Sequence, residues 1–128
     1  MRQKREIKFR AWIPDLKEIT YDNFTVDSNG EVYTLNGDFL EGAILMQYTG
    51  LKDKNGTEIY EGDIVSTTTR FMEHYTTHIK KIIWASKGGF HAEGTTCDNL
   101  TEFITDTSGR NISEVIGNIH ENPELLNN

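Results

Sequence analysis

Short segments of alternating apolar and polar residues, separated by Gly and Asn turns, dominate the chain. Ile7-Lys8-Phe9-Arg10-Ala11-Trp12 alternates cleanly, which predicts a strand with Ile7, Phe9 and Ala11 inward and Lys8, Arg10 and Trp12 on the opposite face. Pro14 lacks a backbone donor and ends it. Asn29-Gly30 suits the positive φ angles of a two-residue hairpin turn. Centring a hairpin there pairs Val26 with Tyr33 and Phe24 with Leu35. Asn36-Gly37 supplies a second turn, so residues 22–41 predict a small meander.

Ala43 to Tyr48 reads as a buried strand around the unbroken run Ile44-Leu45-Met46. Lys54-Asn55-Gly56 marks another turn. A two-residue loop there would set Asp53 opposite Glu58, and facing like charges favour a longer loop. Glu61-Gly62-Asp63 leads into Ile64-Val65 and a Thr-rich strand, and His78 to Trp84 forms a further apolar stretch that Lys87-Gly88-Gly89 turns towards Phe90.

Two places look helical. Thr95-Thr96-Cys97-Asp98 has the form of a capping box, with Leu100, Phe103 and Ile104 following at helical spacing and Gly109 closing the segment. Val115 to Ile119 predicts a last strand. After it, Asn122 as N-cap and Pro123 at the first helical position predict a short helical turn over Glu124-Leu125-Leu126. The expected fold is therefore mainly β: a small bent sheet or SH3-like barrel-type core, one short helix after residue 97 and a short C-terminal helical turn.

A length of 128 residues suits one domain spanning 1–128. The lone Cys97 forms no internal bridge, which fits a reducing cytosol. No apolar run approaches the ~20 residues that span a bilayer. Nor does an apolar stretch follow the basic start as in a signal peptide, so a cytoplasmic protein is expected. Net charge is −7, from 13 Lys+Arg against 20 Asp+Glu. Residues 1–10 hold Arg2, Lys4, Arg5, Lys8 and Arg10 against Glu6 alone, a local +4, and subtracting this from −7 leaves −11 on the rest. That body repels phosphates, so weak or no nucleic-acid binding is expected. Arg2, Lys4, Arg5, Lys8, Arg10 and Trp12 are the candidate contacts for an acidic partner or a nucleic acid. The plainer reading of the basic segment is a solubilising arm.

Candidate chemistry is sparse. His74 and His78 are four apart with Glu73 before the first, whereas the metalloprotease pattern places Glu after the first His on a helix. On a strand the two Cα atoms lie ~13 Å apart, too far for one metal. Cys97 has no His close in sequence to activate it, and the carboxylates Asp53, Glu58, Glu61 and Asp63 cluster at turns, where Asp bonds its own backbone. Neither a catalytic residue, nor a metal, nor a cofactor is expected.

Three blocks carry a resemblance. They are Arg5-Glu6-Ile7-Lys8-Phe9-Arg10-Ala11-Trp12, the stretch from Leu45-Met46-Gln47-Tyr48-Thr49-Gly50-Leu51 through Asp53-Lys54-Asn55-Gly56 to Tyr60-Glu61-Gly62-Asp63-Ile64-Val65, and Glu114-Val115-Ile116-Gly117-Asn118-Ile119-His120-Glu121-Asn122-Pro123-Glu124-Leu125-Leu126. In this order the chain closely resembles the YopX family, proteins encoded by phages and prophages of Gram-positive bacteria. The resemblance implies no enzymatic activity and no catalytic residues. It implies structural roles for the signature: Gly50, Gly56 and Gly62 in turns, Tyr48, Leu51, Tyr60, Ile64 and Val65 in a core, Asp53 and Asp63 as turn formers. The expectation is a phage accessory protein that binds another macromolecule, most readily a protein, in the host cytoplasm. A homo-oligomer is also expected, because a small β domain must cover its strand edges. A nucleic-acid-associated protein and an unrecognised enzyme are the alternatives.

Overall fold

The computed structural model describes residues 6–85 and 89–127. By its internal contacts the chain divides into two compact units, residues 1–48 and 49–128. Its regular structure is nearly all strand, as the alternation predicts.

In the first unit, β1 (Phe9–Ile13) lies between β2 (Glu18–Thr20) and the start of β5 (Ile44–Lys52), antiparallel to both. Ala11 and Ile13 point inward with Val32, against Phe24, Leu40, Ala43 and Leu45. β3 (Thr25–Val26) and β4 (Val32–Tyr33) make the small meander, closed by a bridge from Tyr33 to Phe39. Two expectations fail here. Ile7 precedes the ladder and is exposed. The run Ile44-Leu45-Met46 is not buried throughout: β5 alternates, with Ile44 exposed and Met46 and Tyr48 buried.

The meander also corrects the hairpin register. Thr25 pairs with Tyr33 and Val26 with Val32, one residue away from the two-residue turn. The cause is Asp27. Its Oδ1 accepts the backbone N–H of Asn29 at 2.9 Å and of Glu31 at 3.0 Å, while the Gly30 N–H donates to the Asp27 carbonyl and the Asp27 N–H to the Glu31 carbonyl. The carboxylate thus imposes a five-residue loop with only Gly30 left-handed, at φ 80°. The same wiring recurs from Asp53 to Thr57 and from Asp106 to Arg110, and its backbone pair with the side-chain bond to the fifth residue recurs from Thr34 to Asp38, each with Gly in fourth place. The longer loop expected after Asp53 is one of these. At Asp27 the backbone N–H of Glu31 leads in holding the carboxyl below its usual 3.8, and at Asp106 the Ser108 hydroxyl leads.

The second unit holds the end of β5, β6 (Glu58–Tyr60), and a sheet in the order β10 (Ser113–Asn118), β7 (Asp63–Phe71), β8 (His74–Ala85), β9 (Gly89–Ala92). Ile59, Val65, Ile82 and Ala92 form its core with Leu100, Phe103 and Ile104 from the one α-helix among the described residues, α1 (Leu100–Ile104). The helix follows residue 97 as expected, but its cap is not Thr95. Asn99 caps the Glu102 N–H at 2.9 Å, and the Glu102 carboxylate accepts from the Asp98 N–H at 3.1 Å. The segment ends at Thr105, and Gly109 serves the turn beyond. Pro123–Leu126 forms the short C-terminal helical turn. Asn122 does not cap it by side chain; its Oδ1 accepts from the Asn118 N–H, over Gly117, where a Cβ would come within 2.5 Å.

Asp53 is 5% exposed and joins this unit across sequence. Oδ1 closes its own turn, and Oδ2 accepts the Val115 N–H at 2.9 Å, beside the bond from Lys54 N–H to the Ser113 carbonyl and that from Asn111 Nδ2 to the Lys52 carbonyl. Bonds to a charged acceptor stabilise by roughly 1.5–3 kcal/mol each, and a stranded donor adds its desolvation cost. Asp53→Ala is expected to destabilise the protein by about 3 kcal/mol or more, read as a fall in the urea midpoint. A loss no larger than that of Thr34→Ala, whose turn is exposed, would refute the role of the Val115 bond.

Candidate interaction surface

Of the basic residues picked from sequence, Arg2, Lys4 and Arg5 lie outside the described residues. The others are not an open strip. Lys8 pairs with Glu6 at 3.0 Å and lies over the Tyr48 ring, 5.1 Å from its centroid. Arg10, expected on an outward face, is 3% exposed, its guanidinium reaching the Tyr21 hydroxyl at 3.4 Å and the Met46 sulfur at 3.7 Å. Trp12 is half-buried. A long side chain can fold its charge onto neighbours that alternation does not reveal.

His74 and His78 both lie on β8, where their spacing along an extended chain keeps them apart. Among the described residues no group of three His, Cys, Asp or Glu is arranged to hold a metal. Nor is any helix there long and apolar enough to cross a membrane.

The most exposed apolar side chains sit elsewhere. β7 and β8 pair in unbroken register from Ile64–Lys81 out to Phe71–His74, so their outer parts form a two-stranded ribbon. Residues 68–78 are exposed on both faces. Thr residues there pair across strands, with Thr68 and Thr77 hydroxyls 3.0 Å apart. At the tip Phe71, Met72 and Tyr75 are 74%, 75% and 67% exposed. Arg70 lies over the Tyr75 ring at 5.7 Å and its Nε donates to the Met72 carbonyl at 2.7 Å, which holds the tip in shape.

Met72 is the unusual residue. It opens the two-residue loop with φ 57°, in the left-handed region that costs a bulky L residue roughly 1–3 kcal/mol. At 75% exposure its side chain gains little from packing in return. Sequence reading missed this arm because Phe71-Met72-Glu73-His74 contains no Gly or Asn. The available signal was an apolar pair midway along a polar, Thr-rich alternation.

Each face of the ribbon borders a cavity. One, of about 410 Å³, lies between Thr67, His78 and Lys80 on the strands and Thr96, Cys97 and Phe103 beyond β9. The other, of about 370 Å³, is lined by Arg70, Asp106 and Arg110 among others.

Comparison with known proteins bears on the whole chain. The family model described as YopX protein matches residues 8–127. The crystal structure of protein EF1440 from Enterococcus faecalis is similar at a TM-score of 0.68 and 32% identity, over 96% of this chain and 99% of that one. None of the curated proteins compared matches.

Two outcomes follow from this surface. Met72→Gly removes the backbone strain at a smaller entropic cost, so the ribbon tip should open about 1 kcal/mol less readily; amide exchange at Arg70–Tyr75 measures this, and faster exchange would refute the strain. With Lys8 and Arg10 engaged, single- and double-stranded oligonucleotides should bind no tighter than the non-specific range of roughly 10⁻⁴–10⁻⁶ M. Fluorescence polarisation across a salt series decides, and tight sequence-selective binding would reverse the ranking of protein over nucleic acid.

Proposed function

The chain belongs to the YopX family, and on that footing we propose that it is a non-enzymatic accessory protein that binds another protein through the tip of the β7–β8 ribbon. The observation that carries the reading is Met72: an apolar side chain kept in solvent at a strained backbone position, where glycine would be the more stable choice. Local strain of this kind is retained where a side chain is used. The neighbours have the chemistry of a binding anchor. Phe, Tyr, Met and Arg are enriched at the centres of protein interfaces, and Arg70 pre-orders two of them, which lowers the entropic cost of docking.

A phage or prophage setting and the host cytoplasm belong to the same reading. The resemblance to phage-encoded relatives supports the first and the unpaired Cys97 the second. A second copy of the chain is one eligible partner, because β9 and β10 end their sheet as edge strands. Light scattering at micromolar concentration reports that self-association.

The test is affinity capture of a tagged copy from host cells, with and without nuclease, beside the double variant Phe71→Ser, Tyr75→Ser. Both positions are exposed, so the variant should melt within about 1 kcal/mol of the parent. A protein retained through nuclease treatment and lost with the variant supports the reading. A partner that survives the substitutions, or vanishes with nuclease, overturns it.

A further inference from the structure

The sheet of the second unit ends differently on its two sides. On the outer side of β10 the Ser113 carbonyl accepts from the Lys54 N–H and the Val115 N–H donates to Asp53, so that edge is engaged. β9 has no such cover. Its register sets His91 opposite Ile83 and Phe90 opposite Trp84, and the Glu93 N–H donates to the Lys81 carbonyl at 2.8 Å. Bonds between antiparallel strands alternate, so His91, two residues from Glu93, also faces β8, while Phe90 turns its N–H and carbonyl outward. Neither group of Phe90 has a partner among the described residues. Ala92, the next outward residue, already gives its carbonyl to Thr95.

Exposed edges are ordinarily guarded by a charge, a proline or a bulge. Gly89-Phe90-His91-Ala92 contains no Lys, Arg, Asp, Glu or Pro. Beside this edge the Trp84 ring lies 4.9 Å from that of Phe90, edge to face, and 3.6 Å from the position a Cβ on Gly89 would take. Phe90 packs against the core, whereas Trp84 is 56% exposed. The edge thus offers one free donor, one free acceptor and an uncovered aromatic ring.

β9 is its own complement. Antiparallel pairing about a two-fold axis at Phe90 lets each Phe90 N–H reach the carbonyl of the partner's Phe90, satisfying both groups with two bonds. It sets His91 opposite the partner's Gly89, large against small, and opposes no like charges. It also brings a second Phe90 and Trp84 to the same edge, where aromatic rings contribute beyond their buried area. A strand from an unrelated protein would supply the two bonds but not these rings. We propose that two copies of this chain join at β9, their four-stranded sheets running on as one across the axis. This interface is separate from the ribbon tip and does not rest on it.

Hydrogen exchange at the Phe90 amide, followed from low to high protein concentration, is the direct test. That N–H faces solvent in the single chain and a carbonyl in the pair. Its exchange should slow as sedimentation equilibrium passes from one chain to two, while the His91 amide, bonded to β8 throughout, should change less. Trp84→Lys removes the ring and sets like charges near the axis, so association should weaken about tenfold or more. Matching amide spectra away from β9 confirm that this variant folds; if it does not, the Phe90 exchange of the parent decides alone. Phe71→Ser, Tyr75→Ser, at the ribbon tip, should associate as the parent does. Phe90 exchange that ignores concentration overturns the interface, whatever mass is measured. So does association that survives Trp84→Lys or is lost with the tip variant.

Discussion

A single buried carboxylate ties together segments that lie 62 residues apart. Asp53 accepts three backbone N–H groups, two from its own turn and one from Val115 on the edge strand β10. Burying an ionised group is unfavourable unless every acceptor site is met, and here backbone donors meet it without a cation. The arrangement demands a turn and a strand at once. The turn must be tight enough to present both oxygens, and β10 must break its regular ladder, which it does at the bulge between Val115 and Gly117. Gly117 then leaves space for Asn122, whose side chain holds Asn118 and so the C-terminal helical turn. The blocks around residues 53 and 115, far apart along the chain, are thus two halves of one hydrogen-bonded unit.

Much of this was legible before any coordinates. The existence of a strand before Pro14, the Thr-rich strand after Ile64 and the places of the Asn-Gly turns are local signals, and local physics decides them. The facing of residues 7–12 was not among them, since Ile7 is exposed and Arg10 buried. The hairpin register was not, although its determinant is in plain sight. Asp27, two residues before Asn29, competes for the same N–H groups that a two-residue turn would leave to water, and wins. Reading Asn-Gly without the Asp two residues ahead of it gives the right place and the wrong loop. The helix cap failed in the same way: Thr95 and Asn99 both precede apolar residues at helical spacing, and only packing of Leu100 and Phe103 selects between them.

The candidate surface was the least legible part, for a different reason. Whether Arg10 points to water depends on Tyr21, from the bend after β2, and Met46, from β5. The exposed tip exists because β7 and β8 outrun the core, a fact of length that no residue type announces. Lys80 and Cys97 meet across a cavity only through the β8–β9 pairing. Sites assembled from separate elements are set by topology, and a search for motifs passes over them.

The repeated turn has a chemical consequence for the lifetime of the molecule. Asn-Gly is the dipeptide most prone to spontaneous deamidation, because the glycine nitrogen, unhindered by a side chain, attacks the asparagine carbonyl to form a succinimide. In the turns at Asn29, Asn36 and Asn55 that nitrogen donates to the carbonyl of the residue two before the asparagine, at 3.1, 2.9 and 3.0 Å. A nitrogen held this way is poorly placed to attack, so each turn protects its own weak point for as long as it stays closed. Protection then follows local stability. Asn55, in the turn anchored by buried Asp53, is shielded best, and Asn29 and Asn36, in the exposed meander, age first. The chain carries a clock that runs at the rate at which its outermost turns come undone.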